Sequence, residues 1–145
     1  MPLRAILLDL PEFFHRIKDM IDIGKQAAHW RDGADEDWDV ARDLILRDRV
    51  RHGLFFAHLA VEKTLKAHVC LATQELAPPT HNLVRLAQKG VPSLSPQDLE
   101  LLAEVNSFNI EGRYPELLLP LPTAAEARDY MNRIEELLKC LKSLF

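Results

Sequence analysis

Apolar residues recur at intervals of three and four along most of the chain, the spacing that places them on one face of an α-helix. The pattern predicts a first helix over about residues 10–28, a polar loop over 31–37 and a second helix over about 38–50. From 53 to 73 the apolar residues occupy every side, which is typical of a helix surrounded by other helices. We expect this third helix to lie at the centre of the fold.

Prolines and N-cap residues mark where the later helices begin and end. A proline pair ends the central helix, and a short helix capped by Thr80 then runs to Gly90. Ser95, followed by proline, begins another helix, and Thr123 begins the last helix with a capping box. Between these two helices residues 109–122 contain a glycine and three prolines, so they predict an extended linker. The sequence therefore predicts an all-α, antiparallel up-and-down bundle of five to six helices around a long central helix, as one domain over residues 1–145.

Composition and charge restrict the class of protein. The 145 residues are 48% hydrophobic and include only 5 glycines, as expected for one globular domain. The formal charge of -4 excludes a general attraction to nucleic acid, so a site for a polyanion would be local. Cys70 and Cys140 lack zinc or disulfide spacing, and we expect two reduced, buried thiols. With no apolar run long enough for a membrane span and no signal-peptide pattern, we expect a cytoplasmic location.

Three charged residues interrupt the apolar surface of the predicted central helix. At 100° per residue, Glu62, Lys63 and Lys66 fall on the arc that also carries Phe55 and Leu59. Glu62 precedes Lys66 by four residues, the favourable order for a helical ion pair. Two interpretations stay open: a structural ion pair, which is the commoner case, and part of a binding site.

A basic run lies at the junction of the second and third predicted helices. It consists of Arg42, Arg47, Arg49 and Arg51. On a continuous helix Asp43 would pair with Arg47, and Asp48 with His52, each four residues apart. We therefore expect a solvated, self-neutralised face rather than an RNA groove.

The order and spacing of one set of residues resemble those of the HEPN family, over about residues 36–144, with the helix at 10–28 as an addition. The residues that carry the resemblance are Trp38, Ala41, Asp43-Leu44, His58, Glu62-Lys63, Lys66-Ala67, Thr80-His81, Leu83, Leu86 and Arg113-Tyr114-Pro115. The resemblance implies a helical bundle, commonly a homodimer, that is associated with nucleotides or RNA and often acts beside a nucleotidyltransferase partner. From the sequence itself we expect no membrane association, no cofactor and no metal.

The family's shared residues match six positions of this chain. These are Glu62, Lys63, Lys66, His81, Arg113 and Tyr114. As a ligand site, the two lysines would supply charge to a phosphate, Arg113 would bind it in bidentate fashion, and Tyr114 would stack on a base. As structural residues, Arg113 would pair with Glu62 and Tyr114 would lie in the core. The sequence leaves both alternatives open, and His81 fits a packing role as well as a catalytic one.

Ribonucleases of the HEPN family carry an Arg-x(4–6)-His motif on a late helix. In this chain no histidine follows Arg113, and the match formed by Arg51-His52 and His58 lies on the central helix, where we interpret it as accidental. No pair of histidines has the spacing of a helical zinc site. The sequence thus favours a non-catalytic binding module. Two alternatives are a ribonuclease toxin of a toxin–antitoxin pair that uses Arg51 and His58, and a structural dimer that joins through the exposed apolar surface of the central or first helix.

Overall fold

The structure, a computed structural model, describes the backbone of residues 3–145 and the side chains of residues 10–17 and 19–145. Within that range the chain forms six α-helices and no strand, which confirms the predicted all-α bundle. The helices are α1 (Leu3–Met20), α2 (Ile23–Leu46), α3 (Val50–Thr73), α4 (Leu83–Gly90), α5 (Pro96–Arg113) and α6 (Ala124–Ser143), and one 3-10 turn covers Pro115–Leu117.

Helix α3 is the centre of the bundle, as its apolar residues predict. It contacts α2, α4, α5 and α6. Leu54, Val61 and Leu65 on α3 are fully buried, and they pack in one core with Leu86 of α4 and Leu102 of α5. Because α3 is enclosed by four helices, any charged side chain on its middle turns is desolvated unless it reaches an edge.

Helix α2 is longer than predicted. It runs from Ile23 to Leu46, so the loop predicted over 31–37 is wrong, and the helix predicted over 10–28 is divided near Ile21. Asp22 caps α2, since its side chain accepts a hydrogen bond from the backbone of Lys25 (3.1 Å). The buried stripe of α2 consists mainly of alanines, which give a weak hydrophobic signal: Ala27, Ala34, Trp38 and Ala41.

A tight turn joins α2 to α3 and makes them antiparallel. The amide of Arg49 donates to the carbonyl of Leu44 (2.9 Å) and the amide of Asp48 donates to that of Ile45 (3.0 Å). This is a Schellman turn, and Asp48 takes the left-handed conformation (φ 56°) that such turns need. The second helix therefore ends before Arg47 and α3 begins at Val50, earlier than predicted.

Helix α5 also extends beyond its predicted end. It continues to Arg113, so the linker predicted from residue 109 begins only after it. Gly112 is needed at this point because an added Cβ would lie 2.3 Å from the Phe55 ring of α3. The glycine therefore permits close packing of α5 on α3 rather than ending the helix, and Pro115 prevents further helix.

The predicted starts of the last two helices, α5 and α6, are confirmed. Ser95 accepts a hydrogen bond from the amide of Asp98 (3.1 Å), and Thr123 forms the predicted capping box. Helix α4 is an exception, because its N-cap is Asn82 and not Thr80. Cys70 is buried, whereas Cys140 is exposed, contrary to the expectation. Among the described residues, no helix has both the length and the hydropathy required to cross a membrane.

Candidate binding site around Glu62 and His81

A buried carboxylate connects α3 to the loop before α4. Glu62 is 4% exposed, and its Oε1 accepts a hydrogen bond from Nδ1 of His81 at 2.9 Å. Its Oε2 lies 3.2 Å from Nζ of Lys66, which is also buried and lies 5.0 Å from the centre of the Trp30 ring. Three of the six predicted site residues are thus in direct contact.

His58 completes this cluster from within the core. Its Nε2 lies 3.2 Å from the backbone oxygen of His81, and its Nδ1 lies 3.8 Å from Oε1 of Glu62. Burial lowers the pKa of His58 to about 4, although the Glu62 carboxylate acts in the opposite direction. The ring is therefore neutral near pH 7, and Nε2 carries the proton, because a carbonyl oxygen can only accept. His58 thus fixes the backbone of His81 while Glu62 fixes its ring.

The loop that carries His81 is also held from its other side. Asn82 caps α4 by accepting from the amides of Val84 (3.1 Å) and Arg85 (3.3 Å). Asn106 of α5 accepts from the amide of Leu83 (2.9 Å) and donates to the Asn82 side chain (3.3 Å). The His81 side chain is nevertheless 47% exposed. The fold therefore presents an oriented imidazole at the surface.

Arg113 and Tyr114 lie at the exposed end of α5. Nε of Arg113 donates to the side chain of Asn109 (2.7 Å), and the guanidinium lies 5.6 Å from the centre of the Phe55 ring. Among the described side chains, no carboxylate lies within ion-pair distance of Arg113, so the expected structural pair with Glu62 does not form. Tyr114 is 51% exposed, which is inconsistent with a core role.

Arg113 and His81 share one side of the bundle. Arg113 follows Asn106 by seven residues, which places it on the same face of α5, two turns or about 10 Å further along. Asn106 contacts Asn82, the neighbour of His81. Arg113 contacts the Phe55 ring, one turn before His58 on α3, and His58 contacts the backbone of His81. We call the surface formed by His81, Arg113 and Tyr114 the His81–Arg113 surface.

Lys63 lies apart from this surface. Its Nζ is 2.7 Å from Oδ2 of Asp37 on α2, and its stem crosses Gly33, where an added Cβ would lie 3.3 Å away. Both lysines are thus paired with carboxylates, Lys63 with Asp37 and Lys66 with Glu62. The structure does not bring the two lysines together as a shared phosphate-binding site.

Comparison with known protein families identifies the family of the chain. The model of the HEPN domain matches residues 27–144, which is nearly the whole chain. The chain belongs to the HEPN family. The match begins within α2, earlier than the predicted residue 36, and leaves α1 outside the HEPN domain. No curated protein matches the chain at a significant level.

The HEPN fold is also found in a solved structure with little sequence similarity. The crystal structure of TT1696 from Thermus thermophilus superposes with a TM-score of 0.70 at 20% identity, and the match covers 83% of this chain and 98% of that one. At this identity the likeness concerns the fold alone.

The HEPN domain places Arg51 and His58 in different environments. His58 is completely buried and neutral near pH 7, so it is not exposed to a substrate. Arg51 lies near Glu111 of α5, where its charge partly offsets the rise in the pKa of Glu111 caused by burial. The two residues therefore do not form a surface pair for acid–base chemistry. Within the described part of the chain, no cluster of three or more histidine, cysteine or acidic side chains is placed to hold a metal.

Proposed function

We propose that this HEPN domain binds the phosphate of a nucleotide or of an RNA end at the His81–Arg113 surface. The observation that carries the proposal is the hydrogen bond from a half-exposed His81 to a buried Glu62, which is itself paired with a buried Lys66. A buried ion pair contributes little net stability compared with apolar residues of the same size. Its effect here is to hold one surface imidazole in a fixed orientation.

The three residues of the surface have complementary chemistry for such a ligand. Arg113 has a guanidinium whose terminal nitrogens make no ion pair with the described side chains, and this group suits the bidentate geometry of phosphate oxygens. His81 presents a half-exposed ring on the same side of the bundle, and Tyr114 offers an exposed face on which a base can stack. Glu62 and Lys66 act as positioning residues, and Lys63 acts only through the α2–α3 contact.

Calorimetry with a panel of nucleoside monophosphates tests the proposal. Arg113→Gln should weaken binding about tenfold or more, because charge-assisted hydrogen bonds are lost. The matched control is Arg128→Gln, which removes an exposed arginine of α6. Equal affinities for wild type, Arg113→Gln and Arg128→Gln would refute a phosphate site at this surface.

We further propose that the domain works as a homodimer with a nucleotidyltransferase partner. Exposed apolar side chains continue from Tyr114 along the following turn, where Leu117 is 55% and Leu118 is 83% exposed. Leu118 also has a left-handed backbone (φ 52°), which is unfavourable for leucine. The turn therefore keeps an apolar side chain in solvent even though its backbone conformation is unfavourable. This surface equally supports a purely structural dimer, in which charge removal changes stability but no binding.

Light scattering on a sizing column tests the dimer, and Leu118→Asp should shift a dimer towards monomer. Co-purification with a nucleotidyltransferase encoded beside this chain tests the partner. A monomer at all concentrations and no co-purification would contradict this part of the proposal.

A further inference from the structure

A second concave surface lies at the junction of α2 and α3. It is a cavity of about 480 Å³, a volume within the usual range for a small-ligand site. We call it the corner cavity, and it is lined by Val40, Leu44, Arg47, Arg49, His52 and Phe56. Apolar side chains of both helices form part of its wall, together with two arginines and a histidine.

The sequence predicts that acidic side chains neutralise the cations of the corner cavity, but the structure does not show this pairing. Helix α2 ends at Leu46 and Asp48 has a left-handed backbone, so neither of the expected pairs, with Asp43 or with Asp48, lies on a continuous helix. Among the described side chains no carboxylate lies within 4.0 Å of Arg47, Arg49 or His52. The expectation of a self-neutralised face is therefore wrong at this corner.

The start of α3 carries no negative side chain that would offset these cations. Arg49 is the N-cap residue, no side chain caps the helix, and no acidic residue lies in its first turn. The C-terminal carbonyls of α2 lie at the same turn and offset the positive end of the α3 dipole, so the arginine side chains set the sign of the local potential. Asp48 is the one acidic residue within 47–52, against three arginines.

We infer that the corner cavity is a second contact site for single-stranded RNA, with Arg47 and Arg49 on backbone phosphates and a base against Phe56. The apolar wall distinguishes this cavity from a simple ion site, because a base has an apolar face to bury and inorganic phosphate has none. The choice of RNA as the ligand class rests on the proposed function. The location of the corner cavity and its positive charge do not depend on the proposed function, since they follow from the turn between α2 and α3.

The test is fluorescence anisotropy with a labelled single-stranded RNA hexanucleotide on the full chain. The double variant Arg47→Gln, Arg49→Gln should bind about tenfold or more weakly. Its plot of log affinity against log salt should be shallower by about 1.4, for two lost phosphate contacts. The matched control is Lys25→Gln, Arg128→Gln, which removes two exposed cations elsewhere and should bind like wild type. Phe56→Leu, which retains an apolar side chain, should weaken RNA binding without changing the salt slope.

Comparison with Arg113→Gln separates this inference from the proposed function. RNA affinity that is lost in the Arg47, Arg49 variant but retained in Arg113→Gln supports the corner cavity and contradicts the His81–Arg113 surface. Affinity that falls in both supports both sites. The inference is overturned if the Arg47, Arg49 variant binds like its control, if the control binds as weakly as the variant, or if wild type does not bind the hexanucleotide.

Discussion

Acidification from pH 7 to pH 5 should destabilise the fold by about 2 kcal/mol through His58 alone. The ordinary pKa of histidine is 6.5, and burial lowers the pKa of His58 to about 4. Above pH 6.5 the ring is neutral in both the folded and the unfolded chain, and the stability is fully present. As the pH falls below 6.5, His58 takes up a proton in the unfolded chain but stays neutral in the folded chain. Stability is therefore lost down to about pH 4, and the total loss is about 3 kcal/mol.

Urea denaturation followed by circular dichroism at pH 7 and pH 5 measures this effect. The control is His58→Gln, since an amide can still donate to the His81 carbonyl but does not titrate. Other groups, including His68, whose pKa is also lowered by burial, act alike in both proteins. Wild type should lose about 2 kcal/mol more than His58→Gln. Equal losses would refute the reasoning, as would an NMR titration of wild type in which the His58 ring protonates above pH 6.

Three single substitutions and one double variant test an ion pair, a close helix contact and a helix cap with the same denaturation assay. Lys66→Met should lower the free energy of unfolding by about 3–5 kcal/mol, because it leaves Glu62 buried without its cation. Adding Glu62→Gln should restore part of the lost stability. A further loss of stability in the double variant would contradict the ion pair. Gly112→Ala should cost about 1–3 kcal/mol because of the contact with Phe55, and unchanged stability would show that α5 can move away. Thr123→Ala should cost about 1 kcal/mol through loss of the capping box, and no change would mean that the cap is dispensable.

The parts of the fold that the sequence predicts are those with strong local signals. The apolar residues on every side of α3 and the capping box at Thr123 are two such signals. Each of them depends on residues that are close together in the chain. The sequence predicts a loop over 31–37 because the one buried residue there is Ala34, and a small apolar side chain contributes little to a periodic pattern. From the sequence Gly112 predicts the end of a helix, because the residue that requires a glycine there is Phe55, which is distant in sequence.

The candidate site shows the same limit. The pair formed by Glu62 and Lys66 follows from their spacing on one helix, and the structure confirms their contact. The contact of Lys63 with Asp37 depends on how two helices pack, and no local pattern reveals it. The sequence offers His58 as part of the family resemblance and as an accidental ribonuclease match, but its position four residues before Glu62 already places it on the same face. Asn106 had no signal at all, because its role is to hold the start of α4 from another helix.

The most direct test of the central claim is an NMR titration of the isotope-labelled chain with a nucleoside monophosphate. The claim is that the HEPN domain holds a phosphate between His81 and Arg113. It predicts saturable shifts of the His81 ring and of the Arg113 Nε–H signal, with smaller shifts at Tyr114, and loss of these shifts in Arg113→Gln. Saturable shifts confined to another part of the molecule, or no shifts at millimolar nucleotide, would contradict it.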